Sequence, residues 1–434
     1  IISLYLLRKK ARKKQVNIFD MKVLWISFFA PWTLPMLKAI QTRCDIEMIV
    51  PSEGKESYHI EEKEGIRFHH LVFKRNHGVF CTMDGEIANK YKEIIKQVRP
   101  DIIHVQGTEK NLGQIQNFVK DIPIVINIQG ILSGCLPYNT AFIKEKEIRP
   151  FRSLKNWLGH QGLYASDKAC ERGINNYENE ILAKARYIMG RTKWDHARTL
   201  FANPNSHYFE CEELLRPLFY ENAGRWNVLK CKRHSFMMPA GYNPLKGMHI
   251  AIKAASLLKK IYPDVVLKIP AIPMNILNRK GLKERLFGEE LLTYCKNLIR
   301  QNNLENNVVF LPRLNEEEMV REMLSSNVFL SCSSIDNSSN AVGEATMLGV
   351  PLVVTAVGGL ISFMHDEQNC LLSASGDEYM IAYQIRRLFE NDELCNRLSI
   401  AELNTARKRH DIQRAAELAF QGYKCIIELH KRVI

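Results

Sequence analysis

Residues 328–359, VFLSCSSIDNSSNAVGEATMLGVPLVVTAVGG, constrain the fold more than any other stretch of this chain. An apolar run from Val328 to Leu330 gives way to a Ser/Asn-rich loop, and a short helix carrying Glu344 and Ala345 follows. A second apolar run, Pro351 to Thr355, ends in Ala-Val-Gly-Gly. Strand, loop, helix, strand is one turn of an open parallel sheet, in which ligands lie beyond the carboxyl ends of the strands. Asp336 and Glu344 therefore fall on the ligand side of one crevice. A carboxylate offers lone pairs and no proton, so such acids suit hydroxyl groups. The first helical N–H groups, about Asn340 to Gly343, suit a phosphate oxygen. The alternative is a surface acid on a helix and a turn-forming aspartate.

The same unit recurs along the chain. Strands are expected at Met21–Ser27, Ile46–Val50, Asp101–Val105, Ile122–Ile128 and Tyr187–Gly190, with helices at Pro35–Thr42 and Ile87–Val98. Lys55–Phe73 alternates and reads as a hairpin or edge excursion, Leu136–Tyr177 as a long insertion, and residues 203–224 as a turn-rich closing segment. A second set begins near Trp226, with strands at Phe236–Pro239, Pro263–Ile269 and Val308–Leu311 and a helix at Met248–Lys260. From Asp377 onward the apolar spacing is helical, and the last helix, Asp411 to His430, is long enough to return to the first domain. Alternating strands and helices in two sets imply an α/β chain of two Rossmann-like domains facing a cleft. The expected divisions are a basic arm at 1–20, a first domain at 21–225, a second at 226–409 and a returning helix at 410–434.

The formal charge is +13 over 434 residues. Six basic side chains against one acid stand in residues 1–20, and the rest of the surplus is spread over the body. That balance favours anionic partners: lipid headgroups or diphosphates, and not nucleic acid, for which no recognition motif exists. The basic arm reads as an extension of the globular part or as a membrane-contacting segment. Eleven cysteines without C-x-x-C or clustering read as thiols of a reducing compartment. No run of eighteen apolar residues is present to span a bilayer. Thirteen histidines lack ligand spacing, so no metal site is expected.

The 328–359 stretch resembles the donor-binding signature of the retaining nucleotide-sugar glycosyltransferases of family 4: two acids separated by seven residues, then A-x-x-x-G-x-P-x-V-x-T/S-x-x-G-G. The matching residues are Asp336, Glu344, Ala345, Gly349, Pro351, Val353, Thr355, Gly358 and Gly359, with Asp336 where the family usually has Glu. Residues 238–269 resemble the family's strand, loop and Lys-Gly helix start. The resemblance implies the GT-B architecture, with Glu344 on the donor ribose, Asp336 on a hydroxyl of the transferred sugar and Lys246 on the diphosphate. It makes Gly247, Arg313, Ser338, Ser339, Asn340, Ala341 and Val342 further donor-binding residues.

Five residues before Lys246 the family commonly has an arginine. This chain has Gly241, which leaves Arg313, Arg191 and Lys193 as candidate replacements. HVQGTE, NIQG and GRTKWD resemble first-domain motifs of a bacterial subgroup that builds surface polysaccharides. Thr108, Glu109, Gln129, Gly130, Arg191, Thr192, Trp194 and Asp195 then face the acceptor or the reaction centre. The family's histidine after the fourth strand is replaced by Gln129. The implied activity is retaining transfer of a hexose-type unit from a UDP- or GDP-sugar to a glycan hydroxyl, in the cytoplasm or at the inner face of the membrane, with no metal or other cofactor. A non-catalytic sugar-nucleotide or glycan-binding protein and a GT-B epimerase are the competing readings.

Overall fold

A computed structural model describes residues 21–75, 78 and 81–432. The expectation for the arm at 1–20 lies outside the described residues.

Eight strands form a first sheet: β1 (Lys22–Ile26), β2 (Asp45–Gly54), β3 (Ser57–Lys63), β4 (Ile66–Lys74), β5 (Ile102–Gln106), β6 (Ile124–Asn127), β7 (Tyr187–Gly190) and β8 (His207–Glu210). They lie in the order β3-β4-β2-β1-β5-β6-β7-β8. Six more form a second: β9 (Lys232–Met237), β10 (Val266–Ile269), β11 (Val308–Phe310), β12 (Ser326–Ser331), β13 (Leu352–Thr355) and β14 (Leu371–Ser373), ordered β11-β10-β9-β12-β13-β14. Pairing is parallel throughout except for the β3–β4 hairpin, the excursion expected between Lys55 and Phe73.

Parallel sheets are covered on both faces, and the first shows it in β1. Leu24 and Ile26 enter one apolar cluster, and Val23 and Trp25 enter another on the opposite face. The helix Ile412–Lys431 covers the second face through Ala415, Ala416, Ala419, Tyr423 and Ile426. Its Tyr423 hydroxyl accepts from Trp25 Nε1 (3.1 Å) and pairs with His104 Nδ1 (2.7 Å). The chain's end therefore returns to the first sheet, as its periodicity predicts.

Three details differ from the sequence expectation, the first being β14, where no strand is expected. Residues 203–224 contain β8, an edge strand paired only with β7, whose HYFE sequence has exposed ends and lacks a buried-strand pattern. The insertion after β6 is a series of short helices that leaves its own sheet: Ile143, Ile148 and Leu163 are buried in the core of the second. His249 Nε2 meets the Ala141 carbonyl at 2.9 Å across that contact. All eleven cysteines are free, and no described helix is long and apolar enough to cross a membrane.

Candidate functional site

The carboxyl ends of β5 to β8 and of β9 and β12 open on one cleft of about 520 Å³ between the two sheets. Glu109, Gln129, Arg191 and Glu213 each follow a strand of the first sheet, while Lys246 follows β9 and the Asp336–Glu344 segment follows β12. This is where the topology of an open parallel sheet places ligands.

On the second-sheet side, Lys246 ends a short turn, Pro244–Lys246, capped by the Asn243 side chain. Gly247 next to it has φ +75°, and a Cβ there would stand 2.4 Å from the Cys332 carbonyl oxygen, so only glycine lets the turn close on β12. Lys246 Nζ lies 2.6 Å from Asp336 Oδ2. The helix Asn340–Leu348 begins with no side-chain cap from Ser339, and Ser339, Asn340 and Ala341 line the cleft. Its first N–H groups are unsatisfied donors at the positive end of a helix dipole. Gly358 and Gly359 pack under the same loop: a Cβ on either would stand about 2 Å from the Asp336 or Asn337 carbonyl oxygen.

Glu344 is almost wholly buried, and Arg216 grips it with Nε–Oε1 at 2.6 Å and Nη2–Oε2 at 2.8 Å. Burial pushes the Glu344 carboxyl up and the arginine opposes that shift. Arg216 precedes the helix Pro217–Glu221 and stacks over Phe219, 4.7 Å from its ring centre. The pair therefore ties the segment after β8 to the helix after β12.

Behind the cleft the two halves are joined by hydrogen bonds. Asn337 Nδ2 donates to Asp195 Oδ2 (2.9 Å) and to the Gln129 carbonyl (3.2 Å), and Thr192 Oγ1 donates to Asn337 Oδ1 (2.6 Å). Arg191 pairs with Glu213 at 2.5 Å, and Gln129 Nε2 donates to Glu213 and to Gln106 Oε1. Arg409 reaches Glu212 (2.8 Å) and the Ser338 hydroxyl (3.1 Å). Burial pushes Glu212 up to about 7, against the pull of Arg409 and Arg191.

Of the residues singled out in the sequence, Glu109, Gln129, Gly130, Arg191, Trp194, Lys246, Asp336, Ser338, Ser339, Asn340, Ala341 and Glu344 line the cleft together. Others do not. Arg313 is an exposed residue of the loop after β11, and Met319 and Met323 of the following helix face the cleft instead. Val342 is turned into the core. Thr108 is buried against the Gly130 carbonyl and Glu178. Thr192 and Asp195 form the capping box of the helix Lys193–Ala202, and Lys193 is exposed away from the cleft. Gly241 leaves no room for any side chain, since a Cβ would lie 2.3 Å from Ile269 Cγ2.

Sequence reasoning missed Arg216, Glu213, Asn337 and Arg409. Asn337, adjacent to Asp336, was the nearest to being found. Arg216 carried no local signal because its partner is 128 residues away.

Residues 227–404 match the family described as Glycosyl transferases group 1. A D-inositol 3-phosphate glycosyltransferase from a Nocardioides species is 32% identical over 100 residues, which are 23% of this chain and 22% of that relative's length. The sucrose-phosphate synthase of Thermosynechococcus elongatus superposes with a TM-score of 0.65 at 13% identity, covering 94% of this chain and 100% of that one. HepE of Anabaena, solved with UDP and glucose, superposes at 0.62 with 14% identity and covers the same shares. The fold is GT-B. In GT-B terms the two sheets are its two Rossmann-like layers, and the Ile412–Lys431 helix is the segment that crosses back. Among the described residues no group of His, Cys, Asp or Glu is arranged to hold a metal ion.

Proposed function

We propose that this chain is a retaining glycosyltransferase that moves a hexose-type sugar from a UDP- or GDP-sugar to a hydroxyl of a glycan acceptor in cell-surface polysaccharide synthesis. One observation carries the reading: Lys246, Asp336, Glu344 and an uncapped helix N-terminus converge on the cleft between two parallel sheets. Few ligands use amine, helix amides and carboxylates together, and a nucleoside diphosphate sugar does. The match of residues 227–404 to glycosyltransferases and the UDP and glucose of HepE support the same ligand class.

In this reading Glu344 takes the ribose hydroxyls and Asp336 a hydroxyl of the transferred sugar, while Lys246 and the amides at Asn340–Val342 hold the diphosphate. The C1–phosphate oxygen bond breaks as C1 bonds to the acceptor oxygen on the same face. The departing oxygen takes the acceptor proton, so no protein base is required. Gln129 serves as a hydrogen-bonding partner at the reaction centre. Catalysis is then positional and electrostatic, and approach of the two halves excludes the water that would hydrolyse the donor. The acceptor in this reading is a lipid-linked glycan met at the inner face of a membrane.

Incubation with a panel of UDP- and GDP-sugars, with and without lipid-linked glycans, and measurement of released nucleoside diphosphate tests the reading. Release with one donor is expected. Tight donor binding with neither transfer nor hydrolysis would make the chain a binding protein instead. Glu344→Ala is expected to weaken donor binding by about tenfold or more, and an unchanged dissociation constant would remove Glu344 from the ribose.

A further inference from the structure

The helix Leu154–Leu158 belongs to the insertion after β6, and the helix Gly281–Phe287 lies between β10 and β11. The two pack side by side across the junction of the two halves. On the first, Leu154, Trp157 and Leu158 stand at i, i+3 and i+4 and share one face. That face is bare: Trp157 and Leu158 are each 63% exposed, and Leu282 of the neighbouring helix is 71% exposed. Clustered bare apolar side chains of this size mark a surface that meets something less polar than water.

The charge around the cluster identifies the occupant. Lys155, Lys280, Lys283 and Arg285 are all exposed on these two elements. The acid of the second helix, Glu284, is held at 2.6 Å by Lys296. Beside Trp157 lies a groove of about 650 Å³ whose walls include Arg152, Lys168, Arg172 and Tyr164, with Glu145 as its acid. The platform is anchored: Arg152 Nε lies 2.9 Å from Glu290 Oε1, and the Leu163 amide donates to Glu290 Oε2 at 2.7 Å.

We propose that this face docks on a bilayer containing anionic phospholipid. Trp157, Leu158, Leu154 and Leu282 enter the headgroup boundary, and the flanking lysines and arginines take lipid phosphates. Aromatic and leucine side chains over a lysine-rich rim are the composition of an interfacial membrane segment. The proposal deepens the membrane contact named above and does not depend on the donor chemistry, so its failure would leave the nucleotide-release assay unaffected. Because the two helices come from different halves, docking would hold both against the same surface.

The test is co-sedimentation of the full chain with vesicles of phosphatidylcholine alone or with roughly a third phosphatidylglycerol, at low and high salt. Wild type is expected to sediment with the anionic vesicles and to be released by salt. The triple variant Trp157→Ser, Leu158→Ser, Leu282→Ser and the charge variant Lys155→Glu, Lys280→Glu, Lys283→Glu should each lose about tenfold or more in partitioning. All six side chains are exposed, so melting curves should match wild type, and single Trp157→Ser and Leu282→Ser variants carry the test if the triple unfolds. Wild type that fails to sediment, or binding unchanged in both variants, would overturn the proposal. So would a dimer in solution that the apolar variant separates without altering lipid binding, which would give the face to a second copy of the chain.

Discussion

Arg216 holds a carboxylate that the proposed donor would need. Its Nε and Nη2 are committed to Glu344, and in the proposed complex the ribose hydroxyls take their place on that carboxylate. A guanidinium released into a low-dielectric cleft needs another anion, and a diphosphate supplies one. Since Gly241 cannot carry a side chain, Arg216 is the cation we expect to assist Lys246 on the phosphates. Arg216→Ala should then weaken a nucleoside diphosphate by about tenfold or more while leaving the parent nucleoside within a few-fold, and Arg216→Lys should recover part of the loss. Titration calorimetry with both ligands checks this, and equal losses for nucleoside and diphosphate would reduce Arg216 to a structural tie. This residue was illegible in the sequence because it lies in a segment that reads as a turn-rich linker. Glu344, only eight positions from Asp336 and on a recognisable strand-loop-helix, was legible.

At the scale of elements, the strands that were read correctly are those buried on both faces, such as β7 and β12, where continuous apolar runs leave few alternatives. The strands that the sequence does not show, β8 and β14, each sit at an edge, where packing no longer dictates sequence. Near the opposite edge of the first sheet, polar side chains hold the order of strands. Glu47 of β2 pairs with Lys22 of β1 at 2.9 Å and with Arg67 and His69 of β4 at 2.7 Å each. Burial raises its pKa, but the hydrogen bonds from His69 and Lys22 and the charges of Lys22 and Arg67 outweigh burial and bring it from 4.5 down to about 2. A depressed folded pKa stabilises the fold above the ordinary carboxylate value and loses that contribution as pH falls toward the folded one. The contribution is on the order of 3 kcal/mol. Urea unfolding should therefore show wild type above Glu47→Gln at pH 6, with the gap narrowing between about pH 4.5 and pH 2. At the centre of the same sheet, on β1 and β5, Tyr423→Phe leaves Trp25 Nε1 and His104 Nδ1 without their shared partner. It should cost about 1–3 kcal/mol by the same measurement.

Across the whole molecule the cleft carries no unpaired cation among the described residues. Lys246 faces Asp336, Arg216 faces Glu344, and Arg191 faces Glu213, so each of the three cations lining it already has a carboxylate. The surplus positive charge of the chain therefore lies elsewhere on its surface, and long-range attraction is not what would bring a donor into this site. On the proposed reading, donor entry is an exchange of partners: hydroxyls to the carboxylates, phosphate oxygens to the cations. A ligand offering only one half of that exchange strands a buried charge, which is unfavourable. Lys246–Asp336 lies within the second half, whereas Arg216–Glu344 and the Asn337 contacts to Thr192 and Asp195 cross between halves, so the exchange also resets how the halves are tied. The intact UDP- or GDP-sugar, whichever is the donor, is therefore expected to raise the melting temperature at concentrations where the nucleoside, inorganic pyrophosphate and free sugar, added together as separate molecules, do not. Saturation at about a hundred times the dissociation constant corresponds to about 2.7 kcal/mol of added stability. Equal shifts from the separated fragments and the intact donor would mean that the Lys246–Asp336 and Arg216–Glu344 pairs do not open in concert, and the partner-exchange account of the cleft would have to be given up.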